Sequence, residues 1–209
     1  MEVAFVAQVA LILILGAMSP GPSLAAVLRR TSSDGRSAGL TISIAHGAGV
    51  GMVALVTAST LGVLATIHEQ VSFLLGALGG ALLLFLGSQS LYAVRNRDEE
   101  KGPKEEHIQS MRGPAFEGLA VAWFNPKILL FFSALFAPLV ATGASIGPDV
   151  LILAALAFII DAAWYCIVVI VSVGGLAWKG LEGRAYVIEA ITGFLLIIYG
   201  IIAITTVVI

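Results

Sequence analysis

Charged residues are scarce in this chain of 209 residues. Asp, Glu, Lys and Arg make up only 11% of it, whereas soluble proteins carry about 25%. Hydrophobic residues reach 59%, and the mean hydropathy is +1.02. No basic patch with interleaved aromatic residues is present, so nucleic acid is not an expected partner. The composition excludes an ordinary soluble domain and predicts an all-α integral membrane protein in contact with lipid.

The sequence also lacks the residue patterns of redox, metal and hydrolytic sites. Cys166 is the only cysteine, which excludes an intramolecular disulfide and a Cys-x-x-Cys pair. The three histidines are far apart in sequence, and none has a second metal ligand at helical spacing. Neither a His-Glu-x-x-His motif nor a pair of neighbouring catalytic carboxylates occurs within the apolar runs. We therefore expect no metal site, no cofactor and no enzymatic activity.

Six apolar runs remain, each at least as long as the ~20 residues that cross a bilayer. Short polar joints, including residues 29–36, separate them. Except for Lys127, every Lys and Arg falls in the first, third or fifth connection. Positive charge marks the cytoplasmic side, so both termini are predicted outside. The runs cover residues 3–28, 38–66, 71–94, 115–141, 149–176 and 186–207.

The first and fourth runs are each interrupted by proline. Pro20-Gly21-Pro22 interrupts the first run and Asn125-Pro126-Lys127 the fourth. A proline inside a helix costs about 3 kcal/mol, and broken helices in corresponding halves point to a transporter's binding site. The layout predicts a 3+3 inverted repeat with its first and fourth helices broken. Residues 1–94 form the first repeat, residues 95–113 a charged cytoplasmic linker and residues 114–209 the second repeat.

The residues at these breaks resemble a known family, and the resemblance covers nearly the whole chain. The chain is similar to the LysE/RhtB family of bacterial inner-membrane exporters of amino acids and their derivatives. This resemblance implies efflux driven by the proton-motive force, as substrate/proton antiport. The residues that carry it are Pro20-Gly21-Pro22, residues 35–40, Asn125-Pro126-Lys127 with Phe131-Phe132, and residues 192–200.

An amino-acid zwitterion needs hydrogen-bond donors and positive potential for its carboxylate. A helix that starts after the first break offers free N–H groups and the positive end of its dipole. Lys127 is the only cation away from the connections, and an unpaired lysine in hydrocarbon costs at least ~2.5–3.5 kcal/mol. The predicted substrate-binding residues are Pro20, Gly21, Pro22, Ser23, Asn125, Pro126 and Lys127.

Two further polar residues lie inside apolar runs. Asp161, near the centre of the fifth run, is predicted to carry the coupling proton, with a static salt bridge to Lys127 as the alternative. His46 is a candidate for the same proton path, with a packing role as its alternative. Glu117 and Glu189, near the ends of their runs, are expected to be exposed at the membrane interface.

The sequence thus predicts a secondary transporter that exports amino acids or related zwitterions, with protons as the second partner. The alternatives are a cation or metal exporter of similar architecture and a non-transporting membrane assembly protein. The glycine pairs Gly47/Gly51 and Gly76/Gly80 are expected to bring helices together within one monomer. A homodimer seam is the other interpretation of these pairs.

Overall fold

A computed structural model describes residues 3–67, 69–96, 113–141, 149–172 and 185–208. Within these ranges all regular structure is helical, which confirms the predicted all-α class. The centre of the predicted charged linker, residues 97–112, and the connections at 142–148 and 173–184 lie outside the described residues. The helices are α1 (Val3–Met18), α2 (Pro22–Ala65), α3 (Glu69–Arg95), α4 (Pro114–Phe124), α5 (Pro126–Ala141), α6 (Asp149–Ser172) and α7 (Ala185–Val208).

The described helices include several that are long enough to cross a membrane. Four of them, α2, α3, α6 and α7, have sufficient length and hydropathy, and α4 with α5 forms a fifth candidate bent by 53°. The apolar helix α1 is shorter. The chain is therefore a multi-pass membrane protein. The predicted count of six would require α1 and the first turns of α2 to form one broken span, and it stays a prediction.

The first polar joint differs from expectation. Residues 29–36 were predicted to be a joint between spans. Most of them are helical, and the joint is reduced to Gly35, where the backbone leaves the helix and two helical segments of α2 meet at a kink. Gly35 has a φ of 85° and a ψ of 176°, a conformation that is essentially restricted to glycine and costs other residues roughly 1–3 kcal/mol. The glycine thus separates the first helical segment of α2 from the second. Arg29 and Arg30 lie within the helical part of this segment and are paired with carboxylates.

Glycines bring the main helix pairs into close contact. A Cβ atom on Gly47 would lie 2.7 Å from the Cβ atom of Ala162 in α6, so only glycine permits this separation of α2 and α6. In the same way, a Cβ atom on Gly80 in α3 would lie 3.1 Å from the carbonyl oxygen of Gly200 in α7. These glycines therefore pack helices of one chain against each other. A homodimer stays a prediction.

The largest buried apolar cluster takes residues from all seven helices. Most of them come from α1, the second half of α2, α5 and the first half of α6, and its most buried large side chains include Phe132, Leu135 and Phe136. A smaller cluster packs the start of α2 against α4 and the second half of α6, around Val27 and Ile42.

A group of charged side chains joins the start of α2 to the start of α4. Glu117 is fully buried and accepts hydrogen bonds from Arg29 and, at 2.5 Å, from the Nε of Arg30. Arg30 also pairs with Asp34. The expectation that Glu117 is exposed at the interface was wrong. Close packing of Gly118 on the backbone of α2 turns the neighbouring carboxylate inward, where the arginines neutralise it.

We expect Glu117→Gln to destabilise the protein strongly. The change removes the negative charge between two arginines, and breaking a buried ion pair costs roughly 3–5 kcal/mol. Denaturant unfolding of the purified protein in detergent would measure the loss. Asp34→Asn is the matched control, because the side chain of Asp34 is 42% exposed and such pairs contribute about 1 kcal/mol or less. Equal losses in the two variants would contradict the role given to Glu117.

Candidate functional site

The two helix breaks open onto one cavity of about 490 Å³. Clefts of roughly 300–1,000 Å³ are typical of small-molecule sites. All the site residues predicted from the sequence line this cavity, although they come from three different helices and the two breaks. They are Pro20, Gly21, Pro22, Ser23, His46, Asn125, Pro126, Lys127 and Asp161.

The first break separates α1 from α2. Residues 19–21 are non-helical, and Pro22 occupies the first turn of α2, where its missing N–H costs nothing. Gly21 precedes the helix in an extended conformation, and no side chain caps the helix start. The first N–H groups of a helix have no partner within it. The start of α2 therefore offers donors and positive potential next to the cavity.

The second break separates α4 from α5 at Asn125, whose backbone is extended. The Oδ1 of Asn125 accepts a hydrogen bond from the backbone N–H of Lys127 at 3.0 Å and so caps α5. Its Nδ2 donates to the hydroxyl of Ser23 at 3.2 Å. The two breaks are thus in direct contact through the side chains of Asn125 and Ser23.

Asp161 and His46 form a buried pair between α6 and α2. The Oδ2 of Asp161 lies 2.7 Å from the Nδ1 of His46, and the Nε2 of His46 lies 2.9 Å from the hydroxyl oxygen of Ser23. The ring of Tyr165 packs edge-on against the imidazole at 5.1 Å. A hydrogen-bonded chain therefore runs from the carboxylate on α6 to both helix breaks.

The hydrogen-bond partner of Asp161 is not Lys127, as one of the alternatives from the sequence proposed. That alternative was a static salt bridge to Lys127, but the carboxylate bonds to His46. Lys127 donates instead to the hydroxyl of Ser19 at 2.6 Å and to the backbone carbonyl of Pro20 at 3.4 Å. The packing of α2 on α6 brings histidine and aspartate together and leaves the lysine facing the first break.

Glu189 is a charged residue of the cavity lining that was not predicted from the sequence. It was predicted to be exposed at the interface, but it is 8% exposed, and its Oε2 accepts a hydrogen bond from the Ser19 hydroxyl at 2.6 Å. Ser19 therefore links the carboxylate of α7 to the ammonium of Lys127. The signal was present, because Glu189 is the only charged residue between positions 186 and 208, and isolated carboxylates in apolar spans are functional by default.

The remaining cavity wall is mostly apolar. Its polar contributions come from Gln89 and Ser90 of α3 and Thr192 of α7. Among the described residues there is no group of three or more His, Cys, Asp or Glu side chains placed to hold a metal ion. Two chains of hydrogen bonds thus reach the cavity, one from Asp161 through His46 to Ser23 and one from Glu189 through Ser19 to Lys127. The apolar part of the cavity lining includes Leu13, Phe85, Leu86, Phe131, Phe132 and Leu196.

Comparison with known proteins gave one match. A family model described as LysE type translocator matches residues 14–206. No curated protein and no solved structure matched the chain. The matched region contains both helix breaks, the His46–Asp161 pair and Glu189.

Proposed function

Because this chain belongs to the LysE translocator family, whose members are transporters and not enzymes, we propose that it exports amino acids or related small zwitterions by proton-coupled antiport. The observation that carries the proposal is the meeting of both helix breaks, a lysine and a histidine–carboxylate pair at one cavity. Transporters place substrate and coupling-ion sites between broken helices near the bilayer midplane.

The first break and Lys127 support a site for the substrate carboxylate. The start of α2 presents unpaired N–H groups, and the Lys127 ammonium lies within 2.6 Å of Ser19 at the same break. Asn125 holds Ser23 and the first turn of α5 in place through its two hydrogen bonds. A bound carboxylate would exchange the present partners of Lys127 for its own oxygens.

The His46–Asp161 pair supports a proton site at which binding of a proton opposes binding of the substrate, as antiport requires. When Asp161 is ionised and His46 neutral, Nδ1 donates to Asp161 and the Ser23 hydroxyl donates to Nε2. Ser23 then accepts one bond from Asn125 and keeps one acceptor position for a substrate ammonium.

A proton on Nε2 reverses the bond between His46 and Ser23. The imidazolium then donates to Ser23, whose oxygen accepts two bonds and has no position left for a substrate ammonium. Proton and substrate therefore compete, and each leaves the site as the other arrives. We assign the coupling proton to this pair, with Asp161 as its stabilising counter-charge.

The distribution of basic residues supports the orientation. We place the protein in the bacterial inner membrane with both termini outside and with the ends carrying Arg29 and Arg95 at the cytoplasm. In this arrangement α1 and the first turns of α2 form the first broken span, and α4 with α5 forms the fourth. The pairing of α2 with α6 and of α3 with α7 is the pattern expected of an inverted repeat, in which corresponding helices of the two halves meet.

Efflux from proteoliposomes tests the proposal. Purified protein would be reconstituted, the vesicles preloaded with single amino acids, and efflux compared with and without an imposed pH gradient. We expect efflux of a defined group of amino acids, accelerated by the gradient and absent from protein-free vesicles. Transport of divalent metal ions without amino acids would favour the metal-exporter alternative, and transport of neither would favour an assembly protein.

A further inference from the structure

Glu189 is a buried carboxylate at the cavity that the proposed proton path does not use. Its Oε2 accepts from the Ser19 hydroxyl at 2.6 Å, and the same oxygen of Ser19 accepts from the Lys127 ammonium at 2.6 Å. The carboxylate and the ammonium are therefore no farther apart than twice that distance. Both side chains line the cavity at the first helix break.

We propose that Glu189 binds the substrate's ammonium while Lys127 binds its carboxylate, so that the site selects α-amino acids with uncharged side chains. This inference rests on the proposed function and names the substrate class within it. The ammonium has three N–H donors, so in this proposal one donates to Glu189 and another to the remaining acceptor position of Ser23 that the proton coupling uses. An α-amino acid carries both charges on one carbon atom, so the two ends of a single ligand reach two protein charges held this close together.

Ser19 keeps Glu189 and Lys127 accessible to a ligand when no substrate is bound. Its hydroxyl donates to Glu189 and accepts from Lys127, so each buried charge has a hydrogen-bonded partner and neither forms a direct salt bridge. A direct buried salt bridge would compete with a ligand for both charges. A zwitterion replaces one neutral hydroxyl with two oppositely charged partners, so each hydrogen bond gains the attraction between two opposite charges.

The other charges at the cavity leave no partner for a charged substrate side chain. Of the described residues that line it, only Lys127, Glu189, Asp161 and His46 are ionisable at neutral pH, and Asp161 and His46 are bonded to each other. The wall facing the rest of the ligand is formed by apolar side chains such as Leu86, Phe131 and Leu196. A charged side chain would lose its hydration there and find only the neutral polar groups of Gln89, Ser90 and Thr192, with no opposite charge to pair with.

Ligand binding to the purified wild-type protein in detergent tests the two charge contacts separately. The probes are L-leucine, 4-methylpentanoate, which lacks its ammonium, and 3-methylbutylamine, which lacks its carboxylate. Because loss of one partner of a buried charge pair costs at least a factor of roughly 30, we expect leucine to bind at least that much more tightly than either analogue. Tighter binding of L-lysine or L-glutamate than of L-leucine would overturn the predicted preference for uncharged side chains.

Glu189→Gln is expected to weaken binding of L-leucine by roughly 30-fold and to leave binding of 4-methylpentanoate unchanged. Asp149→Asn, the same kind of change at the start of α6 and outside the cavity lining, is the control and should behave as wild type. An unchanged ratio of leucine to 4-methylpentanoate affinity in Glu189→Gln would overturn the ammonium site. A collapse of that ratio in Asp161→Asn instead would assign the ammonium to Asp161.

A second variant keeps the test decisive if Glu189→Gln does not fold. Glu189→Asp retains the charge one methylene farther back, and we expect a smaller loss of leucine affinity with the preference over 4-methylpentanoate preserved. Loss of that preference with the charge still present would contradict the proposal. Amino-acid efflux by wild-type protein combined with an unchanged preference in the Glu189 variants would reject this inference alone. Absence of amino-acid binding and of efflux in the wild type would reject the proposed function as well.

Discussion

Asp161→Asn is expected to abolish the acceleration of efflux by a pH gradient while leaving downhill substrate exchange measurable. The amide keeps the size of the carboxylate, and its oxygen still accepts from the Nδ1 of His46, which lies 2.7 Å from the present Oδ2. It cannot titrate, and it offers no negative charge to stabilise an imidazolium. We therefore expect efflux by this variant to be the same with and without the pH gradient.

The measurement for this variant is efflux from proteoliposomes, normalised to folded protein. Asp149→Asn is again the control, since it makes the same chemical change on the same helix outside the cavity lining. Wild-type stimulation by the gradient in Asp161→Asn would end the assignment of the proton to this pair. A low yield of folded protein with normal coupling in the remainder would leave the pair only a structural role.

Replacing Pro20, Gly21 and Pro22 together with alanine should abolish transport without preventing membrane insertion. Alanine restores the N–H donors that the two prolines lack and is the best helix former, so α1 and α2 should join into one continuous helix. The side chains of Ser19 and Ser23 would then rotate with the helix away from Glu189 and His46, to which they are now bonded. The cavity would lose both of its hydrogen-bonded chains.

Efflux and monodispersity in detergent would be compared between this triple variant and Gly62→Ala. A Cβ atom on Gly62 meets nothing within 4 Å, and Gly62 is outside the cavity lining, so this control should transport normally. A correctly inserted triple variant with full efflux would show that the break does not shape the site.

Features determined by local sequence were predictable, and features determined by tertiary contacts were less so. Pro20 lies at the first break and Pro126 begins the helix after the second, so the prolines of Pro20-Gly21-Pro22 and Asn125-Pro126-Lys127 mark both breaks in the sequence. Proline alone is not a sufficient signal, because Pro138 lies inside α5 without ending it. The length and hydropathy of the apolar runs located the helices, and the family resemblance from Pro20-Gly21-Pro22 and Asn125-Pro126-Lys127 is confirmed by the family match. The functional roles given to individual residues stay predictions.

The partners of the buried charges depend on which helices meet. Asp161 lies opposite His46 because Gly47 allows α2 to approach α6, a contact that no local pattern specifies. Glu117 and Glu189 were wrongly predicted to be exposed, because both lie near the ends of apolar runs. Packing of α4 on α2 and of α7 beside the first break buries them instead. These two carboxylates near the ends of apolar runs are thus buried, like Asp161 at the centre of its run.

Simultaneous measurement of proton and substrate movement is the decisive test of proton/substrate antiport. Proteoliposomes loaded with the best substrate and with a pH-sensitive dye would report both fluxes as substrate leaves down its gradient. In the wild type we expect protons to enter the vesicles as substrate leaves them. In Asp161→Asn we expect this proton movement to be lost. Substrate efflux by the wild type with no proton movement, or with protons moving in the same direction, would contradict antiport.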